Sequence, residues 1–287
     1  MYKFLFLPIL FHLFAFTGKA QESKRIVSLA PSITQNLYLI EAQGQIVGCT
    51  RFCLTEAKDS IPVVADAVNV NMEKIVALRP DIVITSGLTP PKVLDGLERM
   101  GIKTLRIGQP KNFNEICEQL IILSEISGKK ELAETIVRES KTRLATIQKN
   151  IPSGKHPKIF MEIGANPLYT ALPGTFMHDY IQQIGGLNIA QELDNASVSK
   201  EYVLLQNPEV IFIVGMGIAG EEEKTHWQEI KSLKAVKDNK IFTLDDYICS
   251  PTPVTFVKTV EELIQMVSRY SLMDISKVST MKLKSWV

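Results

Sequence analysis

The chain has 287 residues, 45% of them hydrophobic and 22% charged, an ordinary globular balance and enough length for one large domain or two smaller ones. A formal net charge of +1, with no Lys/Arg stripe interleaved with aromatics, excludes a nucleic-acid partner from the working set and leaves small molecules and proteins.

The N-terminal twenty residues differ from everything after them. Lys3, an apolar run over residues 4–16 and then Thr17-Gly18-Lys19-Ala20 read as an export signal cleaved after Ala20. The run is too short for the roughly 20 residues that a membrane-spanning helix needs. No Cys follows the cut, so the expectation is a soluble, monomeric periplasmic protein. Of four cysteines, Cys117 falls on an apolar-periodic helix and reads as a buried thiol. Cys49 and Cys53 share a loop, and spacing leaves open whether they pair with each other or with Cys249. The pair falls short of a zinc ligand set, and no resident cofactor or metal is expected.

In chain order, residues 25–29 form a buried strand, and Ser32 caps a helix through Ile33, Leu37 and Ile40. A strand at 46–48 runs into the Cys49–Cys53 loop. Asn71 caps a short helix that ends before Pro80, and strand 81–84 follows. After a loop at 87–91 come a helix through Val93 and Leu97 and a strand at 102–107. Residues 113–150 carry apolar residues at three- and four-residue spacing, interrupted at Ser127-Gly128, and so predict two helices with Gly128 closing the first. The second, at about 1.5 Å per residue, spans roughly 30 Å and serves as a strut.

Beyond it the order recurs: strand 158–163, a helix over 175–183, and a helix over 199–206 capped by Ser199. Strand 208–214, a helix near 227–233, strand 240–244 and a helix over about 255–268 complete it. Strands alternating with helices imply parallel sheets, here as two Rossmann-like α/β lobes joined by a long backbone helix, with a ligand cleft between them. The divisions are a signal over 1–20, a first lobe over 21–112, connecting helices over 113–150, a second lobe over 151–270 and a tail over 271–287.

Among motifs, Gly215-Met216-Gly217-Ile218-Ala219-Gly220 matches GxGxxG after a strand, the basis for an alternative reading as a nucleotide-dependent oxidoreductase. Glu221, Glu222 and Glu223 follow, placing negative charge where a pyrophosphate would sit, and the segment reads as a loop at the cleft edge. His178 beside Asp179 reads as a surface or capping pair, since one His is short of a ligand set. Loops that follow strands offer Arg51 and Phe52, Asn166 and Tyr169, and Asp246 and Tyr247. Aromatics in three such loops suit either packing or a large planar, apolar ligand, with Arg51 available for an acidic group. Glu73 and Glu201 each stand two residues after a capping residue and seven before a Pro. An acid in the first helical turn favours the helix dipole, which explains each Glu but not their matching places.

Together, Arg25-Ile-Val-Ser-Leu-Ala-Pro-Ser, Asn71-Met-Glu-Lys-Ile-Val-Ala-Leu-Arg-Pro-Asp-Ile-Val-Ile, Gly164-Ala-Asn-Pro-Leu-Tyr-Thr, Gly185-Gly-Leu-Asn-Ile and Ser199-Lys-Glu resemble the periplasmic binding proteins of ABC importers for vitamin B12, ferric siderophores and haem. The resemblance spans about residues 24–268. It implies a non-enzymatic solute receptor, with Glu73 and Glu201 docking to the importer permease. Phe52 and Tyr169 then match aromatics that hold the corrin in cobalamin binders, and Asp246 an acidic contact. Ala67 and Asn195 stand where those binders have tryptophans, and Ser250 where they have an Arg. The implied ligand is a corrinoid or an iron chelate, a cobalt- or iron-containing complex, with a ferric siderophore or haem as the alternatives.

Overall fold

A computed structural model describes residues 23–66, 69–151, 154, 156–215 and 220–268. The signal and tail assignments, Ala67, and Met216 to Ala219 of the glycine motif lie outside the described residues.

In the first lobe, strands β1 (Ile26–Ser28), β2 (Ile46–Thr50), β3 (Val63–Ala65), β4 (Ile82–Ser86) and β5 (Thr104–Ile107) form a parallel sheet in the order β3-β2-β1-β4-β5. This is the order of a Rossmann sheet, in which strand order reverses between β1 and β4. Helices α1 (Pro31–Leu39), α2 (Met72–Ala77) and α3 (Pro91–Arg99) cover it. Because side chains alternate along a strand, Ile26, Ile82 and Ile84 face α1 while Val27 and Val83 face α2 and α3. Burial on both faces accounts for the continuous apolar runs.

Beyond the connector, β6 (Lys158–Ala165), β7 (Leu168–Thr170), β8 (Leu187–Asn188), β9 (Val210–Val214) and β10 (Ile241–Leu244) form a second sheet. Its order is β10-β9-β6-β7, β8 also pairs with β6, and β7 is antiparallel. Phe160, Ile211 and Ile213 face α7 (Lys200–Gln206), α8 (Gly220–Gln228) and α9 (Lys234–Lys237), whereas Ile159, Met161, Val210 and Phe212 face α6 (Phe176–Gln183) and α10 (Pro253–Ser268).

The connector is α4 (Phe113–Ser127) and α5 (Lys130–Lys149), with Gly128 closing α4 in the left-handed region at φ 73°. A two-residue link folds the pair into an antiparallel hairpin. Phe113, Ile116 and Cys117 at the start of α4 join the second lobe's core, as do Leu144 and Ile147 at the end of α5. Leu120, Leu123, Ala133 and Ile136 join the first lobe's core. The expected strut is thus embedded in both cores. α10 packs along it, tied by Arg143, whose Nε and Nη2 donate to Glu261 at 2.5 and 2.7 Å.

Several local expectations change. Ser32 does not cap α1; Pro31 opens the helix, whose cap residue Ala30 offers no side-chain acceptor. Cys49 lies on β2, not in the following loop, because β2 extends to Thr50 to pair with β3. The helix placed near 227–233 begins at Gly220, with Glu221, Glu222 and Glu223 in its first turn, where they complement the helix dipole. Asp179 is buried and caps α4 from α6, its Oδ2 accepting from the Phe113 N–H at 2.7 Å. Among the described residues no helix is long and apolar enough to cross a membrane.

Candidate functional site

Two links orient the lobes. α4 leaves the carboxyl end of β5, and its first turn is held by Asp179 of the second lobe. α10 leaves the carboxyl-end loop of β10, and its Val254 packs against the first lobe's core. The carboxyl end of each sheet therefore lies next to the other lobe, and the loops after the strands border the space between. In open α/β sheets that is where ligands bind.

In the first lobe, the turn after β2 carries Arg51 and Phe52, both exposed, Phe52 at 55%. The Cys53 N–H donates to the Thr50 carbonyl at 3.1 Å, closing the turn, while the Arg51 N–H donates to the Ala65 carbonyl at 2.9 Å. In the second lobe, Asn166 is exposed at the β6–β7 tip and Tyr169 is 40% exposed on β7. Gly164 lies opposite Tyr169 in this hairpin: a Cβ at residue 164 would sit 3.2 Å from the ring's Cδ2, so glycine leaves the ring its place. Thr170 pairs with the segment carrying Asn195, which accepts from the Ser197 N–H at 2.9 Å. Asp246 is exposed in the turn after β10.

Tyr247 is not brought to this group. Its hydroxyl donates to Glu262 of α10, Lys258 sits 5.4 Å from its ring centroid, and it packs against the second core. Burial first, then Glu262, pushes its hydroxyl pKa above the ordinary value. The role left to it is to anchor the β10–α10 turn that carries Asp246.

Two exposed leucines, absent from the sequence-derived group, belong with it: Leu54 at 68% and Leu88 at 80%. Leu88 follows β4, beside the point where strand order reverses, and its loop is held by Arg106, whose Nη2 donates to the Gly87 carbonyl at 2.5 Å. Both follow predicted strands, so their position is legible in the sequence, but an isolated Leu in a loop carries no ring or charge to mark it. Phe52, Leu54, Leu88 and Tyr169 thus offer exposed apolar surface at the carboxyl ends of the sheets, with Arg51 and Asp246 as exposed charges.

The paired glutamates occupy equivalent local settings. The Lys74 N–H donates to Asn71 Oδ1 at 2.8 Å, and the Tyr202 N–H donates to Ser199 Oγ at 3.2 Å. Glu73 and Glu201 are both exposed. The Ser199 hydroxyl holds the Glu201 carboxyl below its ordinary pKa, and hence ionised at neutral pH. α2 and α7 each lead into a parallel strand, so both helices begin on the side where strands end, the side of the cleft. One carboxylate therefore stands on each lobe, both on the cleft side.

Two α/β lobes crossed by packed helices, with the strand ends of each facing the other, have the architecture of a two-lobed solute-binding protein. The chain belongs to the periplasmic binding protein family, whose model matches residues 26–248. It is 26% identical over 257 residues to the ABC transporter substrate-binding lipoprotein YvrC of Bacillus subtilis, covering 86% of this chain and 81% of that one. The crystal structure of the periplasmic vitamin B12 binding protein BtuF of Vibrio cholerae superposes with a TM-score of 0.75 at 26% identity, over 88% of this chain and 99% of that one. The periplasmic heme binding protein HutB of Vibrio cholerae shares the fold, with a TM-score of 0.76 at 16% identity, over 85% and 98% of the two chains.

Proposed function

We propose that this chain is the extracytoplasmic receptor of an ABC importer, capturing a corrinoid in the cleft and presenting it to the permease through Glu73 and Glu201. The observation that carries the transport part is the matched pair of exposed carboxylates, one per lobe, each in the first turn of a capped helix on the cleft side. Opposed lobes related in this way suit a partner with two matching basic sites, where charge-assisted hydrogen bonds fix orientation. The ligand part is supported by the apolar and aromatic faces of Phe52, Leu54, Leu88 and Tyr169, which fit a large, weakly polar ring system better than a small ion. The BtuF similarity favours the corrinoid over haem or a ferric siderophore, since the haem-binding neighbour shares only the fold. The metal is then cargo within the ligand, residues 1–20 direct export, and the receptor works as a monomer.

Calorimetric titration with cyanocobalamin, cobinamide, haemin and a ferric siderophore tests the ligand, and heat from the iron complexes alone overturns the corrinoid assignment. In the Glu73→Ala, Glu201→Ala double variant, cyanocobalamin affinity stays within about twofold while uptake by cells is lost, because rim charges far from the ligand act on the partner. Normal uptake, or lost ligand binding, counts against the docking role.

A further inference from the structure

Outside the cleft surface and the docking pair, Cys49 and Cys53 form a cluster of thiols next to the turn that carries Arg51 and Phe52. Cys49 is 2% exposed on β2, its N–H donating to the Pro62 carbonyl at 3.0 Å, so its position is fixed by the sheet. The turn from Thr50 folds Cys53 back over the strand end and leaves it partly exposed. Because that turn closes on Thr50, the residue next to Cys49, the two thiols are neighbours at the strand end. Thr34 Oγ1 lies 3.1 Å and Thr50 Oγ1 3.2 Å from Cys53 Sγ. Thr34 Oγ1 also donates to Ser28 Oγ at 2.8 Å, and the Ser28 proton goes to the Ala30 carbonyl, so the single Thr34 proton is shared between Ser28 and Cys53.

We propose that Cys49 and Cys53 are a reversible dithiol–disulfide pair in which Cys53 accepts the disulfide from a disulfide donor and Cys49 closes it, stapling the turn that presents Arg51 and Phe52. Exposure assigns the order, because a donor reaches Cys53 and not the buried Cys49. Acidity agrees: the Cys49 thiol above all, then the two threonine hydroxyls, lower the Cys53 pKa against the opposing effect of burial, while Cys49 is raised. Burial pushes Cys117 up to about 12 and Cys249 up to about 11, which leaves both poor nucleophiles.

The chemistry is ordinary thiol–disulfide exchange. The Cys53 thiolate attacks one donor sulfur, and the other departs as a thiolate that takes the proton Cys53 lost. Cys49 then gives up its proton and attacks the Cys53 sulfur, and the second donor sulfur leaves with that proton. The cysteine pair loses two electrons and two protons, and the donor disulfide becomes two thiols.

Trypsin cuts after Arg51, so the peptides of residues 26–51 and 52–58 stay together only through a Cys49–Cys53 bond. The test equilibrates the purified protein with mixtures of reduced and oxidised glutathione, alkylates the remaining thiols and maps tryptic peptides without reduction. The expected result is a 26–51/52–58 crosslink that grows with oxidised glutathione and disappears with reduced, with Cys117 and Cys249 found as free thiols. Cys49→Ser accumulates glutathione on Cys53, and Cys53→Ser carries none on Cys49. No crosslink at any ratio, persistent glutathione on Cys53 of the unaltered chain, or a bond to Cys117 or Cys249 overturns the proposal. The map of the unaltered chain decides by itself if either variant fails to fold. It needs no ligand, so it stands or falls apart from the corrinoid assignment.

Discussion

Glu162 on β6 is 2% exposed, and its Oε2 accepts from the Trp227 indole N–H at 2.6 Å. Burial raises its pKa to about 7; the indole bond and the charges of Lys200 and His226 pull against that, and Glu223 adds to it. A carboxyl raised above its unfolded value binds its proton more tightly when folded. The contribution of Glu162 to stability is therefore largest below about pH 4.5, falls as pH rises toward 7, and levels off above it, by up to about 3 kcal/mol. Glu162→Gln keeps an oxygen for the indole and removes the titration, so the decline in urea midpoint between pH 5 and 7 flattens while Trp227 stays buried. The same slope in both proteins excludes Glu162 as its source. Neither the acid's burial nor its partner is visible in the sequence, because Trp227 approaches it from 65 residues away.

Among the elements, those decided by nearby residues were legible and those decided across the chain were not. Gly128 shows the first kind: it ends α4 at φ 73°, a conformation that costs a residue with a Cβ about 1 kcal/mol. Gly128→Ala lowers the unfolding free energy from urea titration by about that amount with helix content retained, and no change would mean the backbone relaxes out of the left-handed region. The caps Asn71, Thr175 and Ser199 are equally local, each accepting from an N–H three residues on. β7 and β8, of three and two residues, exist by pairing with β6, so they left no run to read. α8 was displaced in the reading because its length is charged and its one buried residue, Trp227, lies near its end. Of the residues expected at the cleft, Arg51, Phe52, Asn166 and Asp246 do stand in turns after strands, Tyr169 lies on β7 because pairing with β6 makes that strand, and the direction of Tyr247 depends on Glu262, 15 residues later.

For the molecule as a whole, the question is whether two lobes joined by helices behave as one body. A single helix with solvent on both sides would let each lobe melt alone. Here Leu123 is 1% exposed in the first lobe's core, while Ile116 and Cys117, two turns earlier on α4, lie in the second lobe's. The bidentate Arg143–Glu261 pair adds α10 to the same layer. Unwinding α4 in either lobe therefore strips side chains from both. Leu123→Ala removes buried methyl groups from the first lobe, a change worth roughly 2–5 kcal/mol. In a Trp286→Phe background, Trp227 is the one tryptophan and reports on the second lobe. If the cores are coupled through the hairpin, Leu123→Ala shifts the Trp227 urea transition as far as it shifts the helical circular dichroism, in a single step. Were Trp227 to unfold at its original midpoint while ellipticity is lost earlier, the lobes would be independent.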